Sequence, residues 1–340
     1  AARRGLILLA YNQEPCGRLY KKTAAETIDL AQAACEAFVW IEPVLDESTR
    51  VSFAILFARA AHFSRECYGL WRGAAAFGEA LASCHPSLDS SFAAFLSVAG
   101  KLLGRESWTR SALEQYAEMN RRCQRPSGAF DAVEGIPQIP AFQDQTVLWS
   151  MRLLAATKDA VVQKALMTAP GWVDAYAYPN GLVESGLARF LPGERFAQGW
   201  AAPAAFLASL GDARWRKIFA ERLGGGRQVR PEDVDILFWI PSIKDREPIP
   251  PRFFEPNPDT EGFLARRDGF TLHLTGTETP PPTLLTAVHA PGSDGPWQGI
   301  LHGVFAEVTT TGRPPASFLP AVIHRRAVIE HRLMAQHSRW

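Results

Sequence analysis

The C-terminal run IHRRAVIEHRLMAQHSRW places His324, His331 and His337 among Arg325, Arg326, Arg332 and Arg339. Two imidazoles can share one metal from a helix only when they stand three or four residues apart, because each nitrogen must come within about 2 Å of the ion. His324 and His331 are seven positions apart, which is roughly 10 Å along a helix axis. The spacing therefore excludes a shared metal and leaves a basic helical face. Its four arginines, with Arg121, Arg122 and Arg125 in a second cluster, have the planar donor geometry that grips phosphates or an acidic protein partner.

Other chemistries fail on the same test of residue type and spacing. The nucleophile elbow GxSxG is absent, and VESGLA lacks its first glycine. Cys84 and His85 are adjacent in sequence, so their side chains diverge and do not form a nucleophile–base pair. RLGGGRQ has three glycines, Gly224 to Gly226. It follows a helical pattern and lacks the Lys-Ser/Thr of a phosphate loop, so it reads as a helix end. His273, His289 and His302 fall on separate extended segments, and nothing in their spacing brings them together. No residue is therefore expected to be catalytic, cofactor-binding or metal-ligating, and no cofactor or small-molecule substrate is expected.

Composition sets the class. The chain has 340 residues, 47% hydrophobic and 21% charged, the proportions of a globular protein. A net charge of +1 supplies no global field toward nucleic acid or membrane. Its basic residues are 29 arginines against 7 lysines, a hint of bidentate contacts. Ten tryptophans add the other residue type that interfaces enrich. Cys16, Cys35, Cys67, Cys84 and Cys123 are odd in number and form no CxxC pair. They read as free thiols in a reducing compartment. No run is long and apolar enough to span a bilayer. The start AARRG resembles what remains after an arginine-rich organellar presequence is cleaved, which with the thiols places the expectation in the mitochondrial matrix or on the matrix side of the inner membrane, with the cytoplasm as the alternative.

The elements that must position any site follow from periodicity. Residues 1–125 read as successive helices: AAETIDLAQAACEAFVWI sets Ile28, Ala31, Cys35, Phe38 and Val39 on one face, and RVSFAILFARAAHF does the same with Phe53, Leu56, Phe57, Ala60 and Phe63. GAAAFGEALASCH, SFAAFLSVAGKLL and WTRSALEQYAEMNRRC follow with short breaks, the pattern of helical hairpins. RPSGAFDAVEGIPQIPAFQDQ, rich in proline and glycine, breaks the chain. A second helical block then runs to residue 226.

Phe53 and Phe92 open two such pairs 39 residues apart. In the second, Phe92, Gly100, Lys101, Ala112, Leu113, Tyr116, Glu118, Met119 and Pro126 follow in order, and Phe130 restarts the pattern. Over about residues 50–130 this resembles a pentatricopeptide repeat, a helical-hairpin unit that packs in arrays and binds RNA. The family reads bases through a residue just after the aromatic, a place held here by Ala54, Ala93 and Asp131. The resemblance implies an RNA-associated role.

Beyond the glycines, DVDILFWIPSI reads as a buried strand, FLARRDGFTLHL as a hairpin, and TLLTAVHA and WQGILHGVFAEVTTT as further strands. PASFLPAVIHRRAVIEHRLMAQH reads as a closing helix. The expected fold is α+β and mainly α, in three parts: a helical-hairpin, repeat-like region over 1–125, a second helical block over 126–226, and a small antiparallel β-sheet with a basic C-terminal helix over 227–340. The expected function is a non-catalytic structural subunit of a large organellar assembly, RNA-associated in the manner of a mitochondrial ribosomal protein, with other protein subunits and structured RNA as partners. Two alternatives fit the same sequence: an accessory subunit of a respiratory or ATP-synthase complex, and a self-assembling capsid-type protein.

Overall fold

A computed structural model describes residues 2–75, 85–126, 128–133, 136–137, 140–169 and 212–224, together with 171, 182–184, 196–198, 201–210, 236, 239 and the strand residues given below. The described part is mainly helical. Its contacts separate two compact units. The first comprises 1–135, 142–169 and 235–242, and the second 136–141, 170–234 and 243–340.

The first unit is built on seven helices: α1 (Ala2–Tyr11), α2 (Ala24–Ile41), α3 (Glu47–Ala75), α4 (Pro86–Leu102), α5 (Glu106–Cys123), α6 (Pro140–Thr157) and α7 (Ala160–Thr168). Helix α2 starts at a capping box, in which the Thr23 hydroxyl accepts from the Glu26 amide while the Glu26 carboxylate accepts from the Thr23 amide. Asp46 caps α3 by accepting from the Thr49 amide at 2.8 Å, and Asp159 caps α7 through the amides of Val161 and Val162. Each cap satisfies amides that a helix start leaves without partners, for about 1 kcal/mol.

Packing follows the apolar faces. Phe38 of α2 meets Phe53 and Phe57 of α3 edge to face, with ring centroids at 6.1 and 5.3 Å. Val39, placed on that face by periodicity, is instead exposed, because the apolar stripe of α2 ends one residue earlier. Helices α4 and α5, joined by three residues, pack as a hairpin, and α2 lies against α1, α3 and α4. A Cβ on Gly100 would meet the Arg105 carbonyl oxygen at 3.0 Å and the Trp108 Cβ at 3.1 Å, so this glycine sets how closely α5 returns along α4. Helix α6 is enclosed on most sides: Gln143, Thr146, Val147, Ser150, Met151 and Leu153 are all buried. It and α7 lie beyond the proline-rich break yet belong to the same compact unit as α1–α5.

The break itself is closely tied. Gln124 bridges Phe130, the Arg125 amide bonds the Ala129 carbonyl at 2.8 Å, and Gly128 takes φ +96° with Thr168 O only 2.2 Å from where a Cβ would stand. That conformation and that gap admit only glycine.

Three sequence expectations change here. Helix α3 runs unbroken from Glu47 to Ala75, so Gly73 to Ala75 extend it and do not open a second helix; residues 76–84 lie outside the described part. Ile236 and Trp239 of the expected strand DVDILFWIPSI form a tight turn, with the Trp239 amide donating to the Ile236 carbonyl at 3.1 Å. Ile236 is buried and helical in place of extended, a confusion to which short apolar runs are prone; the residues of the run other than these two lie outside the described part. Cys123 is disulfide-bonded, which overturns the all-thiol expectation. Cys16, Cys35 and Cys67 are free, and Cys84 lies outside the described residues. Spacing rules detect local pairs, whereas tertiary packing can join cysteines far apart in sequence.

The second unit contains helices α8 (Ala201–Ser209) and α9 (Ala213–Gly224), which pack together, and an antiparallel strand pair, Leu182–Glu184 with Phe196–Gln198. Five further strands follow as an antiparallel meander in chain order: Phe254–Asn257, Gly262–Arg267, Phe270–Gly276, Leu284–His289 and Trp297–Leu301. Arg267 is in register with Phe270, and Val288 with Trp297. Glu307–Val308 pairs with Ala316–Ser317. Ala316 and Ser317, expected in the closing helix, are strand residues instead; apart from them, the residues of that expected helix lie outside the described part.

Candidate functional site

Of the arginines singled out by sequence, three are described. Arg121 directs its guanidinium fork at Glu118, with contacts of 2.7, 2.8 and 3.1 Å. The pair is exposed, so it adds little to stability. Arg125 is bound to Asp131 at 2.5 Å, both largely shielded from solvent. Arg122 is exposed in the last turn of α5 and makes no ion pair among the described residues. Asp131, the polar residue at the base-reading place, is thereby committed to Arg125. Ala93, at the same place in the preceding unit, is fully buried.

Arg325, Arg326, Arg332 and Arg339, with His324, His331 and His337, lie outside the described residues, as does His302. The strand register sets His273 opposite Ala287 and His289 opposite Thr271, so these two histidines occupy diagonal positions on adjacent strands. Among the described residues no group of three His, Cys, Asp or Glu stands ready for a metal.

A different site emerges from packing. Gln32, Glu36, Val39 and Trp40 line one face of α2, at the spacing that a helix brings into a row. They face Val98, Lys101 and Leu102 at the end of α4, Arg152, Ala155 and Ala156 of α6, and Trp239 of the turn. Together these residues enclose a cleft of about 220 Å³. Most of its wall is apolar, and its polar groups are few.

Arg152 anchors the polar end. Its guanidinium lies over the ring of Trp149 at 4.6 Å and near that of Trp239 at 5.7 Å, with Nη1 3.4 Å from Glu36 Oε1. A desolvated cation is costly unless paired, and here it has two indole faces and the Glu36 carboxylate against it, with the Asp29 carboxylate also within electrostatic reach. Glu36 Oε1 also accepts from Gln32 Nε2 at 2.7 Å. That bond fixes the amide, because the flipped rotamer would set two acceptors against each other. Gln32 Oε1 then has no hydrogen-bond partner, although the residue is only 1% exposed. At the mouth, Trp40 is 70% exposed, and the Lys101 ammonium donates to the Ala156 carbonyl near the end of α6, where a cation is favourable.

Other buried polar groups in this unit are structural. The Tyr68 hydroxyl donates to Asp89 at 2.7 Å, and Tyr68 stacks on Phe92 with centroids 4.2 Å apart. The Tyr116 hydroxyl donates to Ser150 at 2.9 Å, and burial pushes its pKa well above the ordinary tyrosine value. Burial likewise raises the Cys35 thiol, so it stays protonated and unreactive.

Sequence reasoning did not nominate Gln32, Glu36 or Arg152. One signal was present: Arg152 is the lone charge inside TVLWSMRLLAA, and a charge within a helix buried on most sides needs partners there. No protein-family model matches the chain, and no curated protein matches it significantly.

Proposed function

We propose that the chain is a non-catalytic scaffold subunit of a large assembly. The observation that carries this reading is the apolar outer surface of α1 and α3, two helices that pack against each other. Ile7, Leu8 and Tyr11 of α1 and Val51 and Ile55 of α3 are all exposed, Tyr11 by 86%. Apolar side chains grouped on adjoining elements favour protein contact over solvent. The proposed architecture is a helical-hairpin array followed by a small antiparallel sheet and a closing basic helix, and the strand register of the second unit supports its sheet portion.

In its specific form the reading is an RNA-associated subunit of a mitochondrial assembly, such as its ribosome. The hairpin of α4 and α5 supports the pentatricopeptide likeness, with Phe92 buried, Gly100 at the helix approach and Lys101 beside it. A second reading, an accessory subunit of a respiratory or ATP-synthase complex, draws on a separate observation. Arg121 and Arg125 are bound to acidic neighbours within the chain, which leaves fewer cations for phosphate. No helix among the described residues is long and apolar enough to cross a membrane; in this reading the subunit contacts protein and lipid instead of RNA.

Sedimentation of native extract with and without ribonuclease separates the readings. A heavy particle that collapses with ribonuclease supports the RNA-associated role. One that resists it moves the choice to a protein-only complex, or to a shell if only copies of this chain are present. A free monomer rules out the scaffold. Compartment is tested by denaturing isolated organelles in the presence of a thiol-alkylating reagent, since Cys123 is buried in the folded chain: a Cys123 that labels without added reductant places the chain in a reducing matrix, and one that does not places it in an oxidising space.

A further inference from the structure

We propose that Cys16 and Cys67 are a reversible dithiol pair that a low-molecular-weight disulfide, such as oxidised glutathione, closes to a disulfide between the α1–α2 turn and α3. The placement of the turn carries this. Gln13 bridges Leu19 across the neck of a tight loop, and near its tip the Gly17 amide donates to the Glu14 carbonyl at 2.8 Å. The neck is fixed to α3, because Gln13 Nε2 donates to the Leu56 carbonyl at 2.9 Å. Further along, Gly17 takes φ +99° and lies so close to α3 that a Cβ would overlap the Arg59 carbonyl oxygen and stand 3.1 Å from Phe63 Cβ. The loop thus runs along α3 from Leu56 toward Phe63, neck first. Cys16 belongs to its tip, and Cys67 stands one helical turn beyond Phe63 on the same row.

The electrostatics agree with that placement. Burial, then the charges of Glu66 and Cys16, push the Cys67 thiol up, while Arg18 opposes them. Arg18 is bonded to Glu14 at 2.6 Å and is itself influenced by both cysteines. Cys16 Sγ donates to the same Glu14 carboxylate at 3.8 Å. The other described cysteines are withdrawn from exchange, since Cys35 is fully buried and Cys123 is already bridged.

Exposure sets the order of the reaction, because Cys16 is exposed and Cys67 is half-buried. Deprotonated Cys16 attacks one sulfur of oxidised glutathione, forms a mixed disulfide and expels one glutathione thiolate. Deprotonated Cys67 then attacks Cys16 Sγ and expels the second. Two protein thiols are oxidised, the reagent is reduced to two thiols, and the two protons that the protein releases balance the two expelled thiolates. This pair is independent of the scaffold reading and goes beyond it.

The test equilibrates the intact chain with mixtures of reduced and oxidised glutathione, quenches in acid, alkylates under denaturing conditions and maps unreduced peptides by mass spectrometry. The expected product is a linked Cys16–Cys67 peptide pair, lighter by two hydrogens. At about 1 mM glutathione it should exceed the glutathione adduct of Cys16 by about tenfold, since a neighbouring thiol outcompetes a dissolved one. Cys67→Ser should stop at the adduct on Cys16, and Cys16→Ser should take up glutathione far more slowly, at Cys67. A wild type that halts at the Cys16 adduct with Cys67 alkylated overturns the proposal. So does one that links Cys16 to another cysteine or to a second copy, or that does not react. The wild-type map needs no variant, so it stands even if a serine variant fails to fold.

Discussion

Two buried glutamines in the same helical unit are treated in opposite ways. Gln143 of α6 commits both ends of its amide to the backbone of Phe130: its oxygen accepts from the Phe130 amide at 3.0 Å, and its nitrogen donates to the Phe130 carbonyl at 2.8 Å. Gln32 of α2 commits only its nitrogen, to Glu36, and its oxygen is buried with no hydrogen-bond partner. Both are almost fully shielded from solvent. The contrast separates a polar group that holds the fold at both ends from one that the fold satisfies at one end only. Burial does not make the distinction, but the count of satisfied atoms does.

The largest effect expected from this contrast is at Gln143. Gln143→Leu strips both partners from the buried backbone of Phe130 and costs about 3 kcal/mol, seen as a marked fall in unfolding temperature. An unchanged temperature would break the comparison. Cys123→Ser, which removes the disulfide at the buried end of α5, costs about 2–4 kcal/mol. Adding reductant to the wild type should produce a similar loss, which distinguishes a real cross-link from packing of the thiol. Tyr68→Phe withdraws one hydrogen bond from the buried Asp89 carboxylate and costs about 2 kcal/mol, measurable by urea unfolding. Gln32→Met stays within about 1 kcal/mol of wild type, because it removes an unsatisfied acceptor along with the bond to Glu36. A loss as large as that at Gln143 would mean that Gln32 is structural after all.

Acid sharpens the same contrast from the side of the helix caps. The Thr23 amide, then Lys22 and the Thr23 hydroxyl, hold the Glu26 carboxyl down to about 2, and the Thr49 amide with the Ser48 and Thr49 hydroxyls holds Asp46 to about 2. Folded-state values below the ordinary carboxylate range mean that these caps contribute fully above about pH 4.5 and lose their contribution as pH falls toward 2. Amide protection factors at the starts of α2 and α3, taken against the intrinsic rate at each pH, should therefore fall over that window, while that of the Phe130–Gln143 pair, whose bonding groups do not titrate, holds. Both carboxylates are at the surface, so the change is local and small.

The sequence made much of the helical scaffold legible and little of the site. Periodicity placed Phe38, Phe53 and Phe57 on faces that do meet, because an amphipathic helix writes its buried side into its spacing. The capping pair Thr23 and Glu26 stood in the sequence with the spacing of a helix start. Length was misjudged at α3: RVSFAILFARAAHF and GAAAFGEALASCH read as separate helices, yet α3 runs on through Gly69 and Gly73 to Ala75, since a glycine weakens a helix by only about 1 kcal/mol. Arg125 was nominated as an outward contact, and the structure turns it to Asp131 six residues on. The cleft was invisible for a further reason. Its polar residues, Gln32, Glu36, Lys101 and Arg152, come from three helices, and only packing decides which of their atoms end without a partner.

The turn from Gln124 to Asp131 carries one further consequence. Its sequence, QRPSGAFD, has the proline, serine and glycine of a loop that proteases cut. Yet Arg125 is clamped to Asp131, Gln124 Nε2 donates to the Ala165 carbonyl at 3.0 Å, and Gln143 holds Phe130 from both sides. A protease needs several residues of extended chain, and here such a stretch becomes available only when α5, α6 and α7 separate. Resistance of this segment to digestion is thus a direct gauge of how often the helical unit opens as a whole.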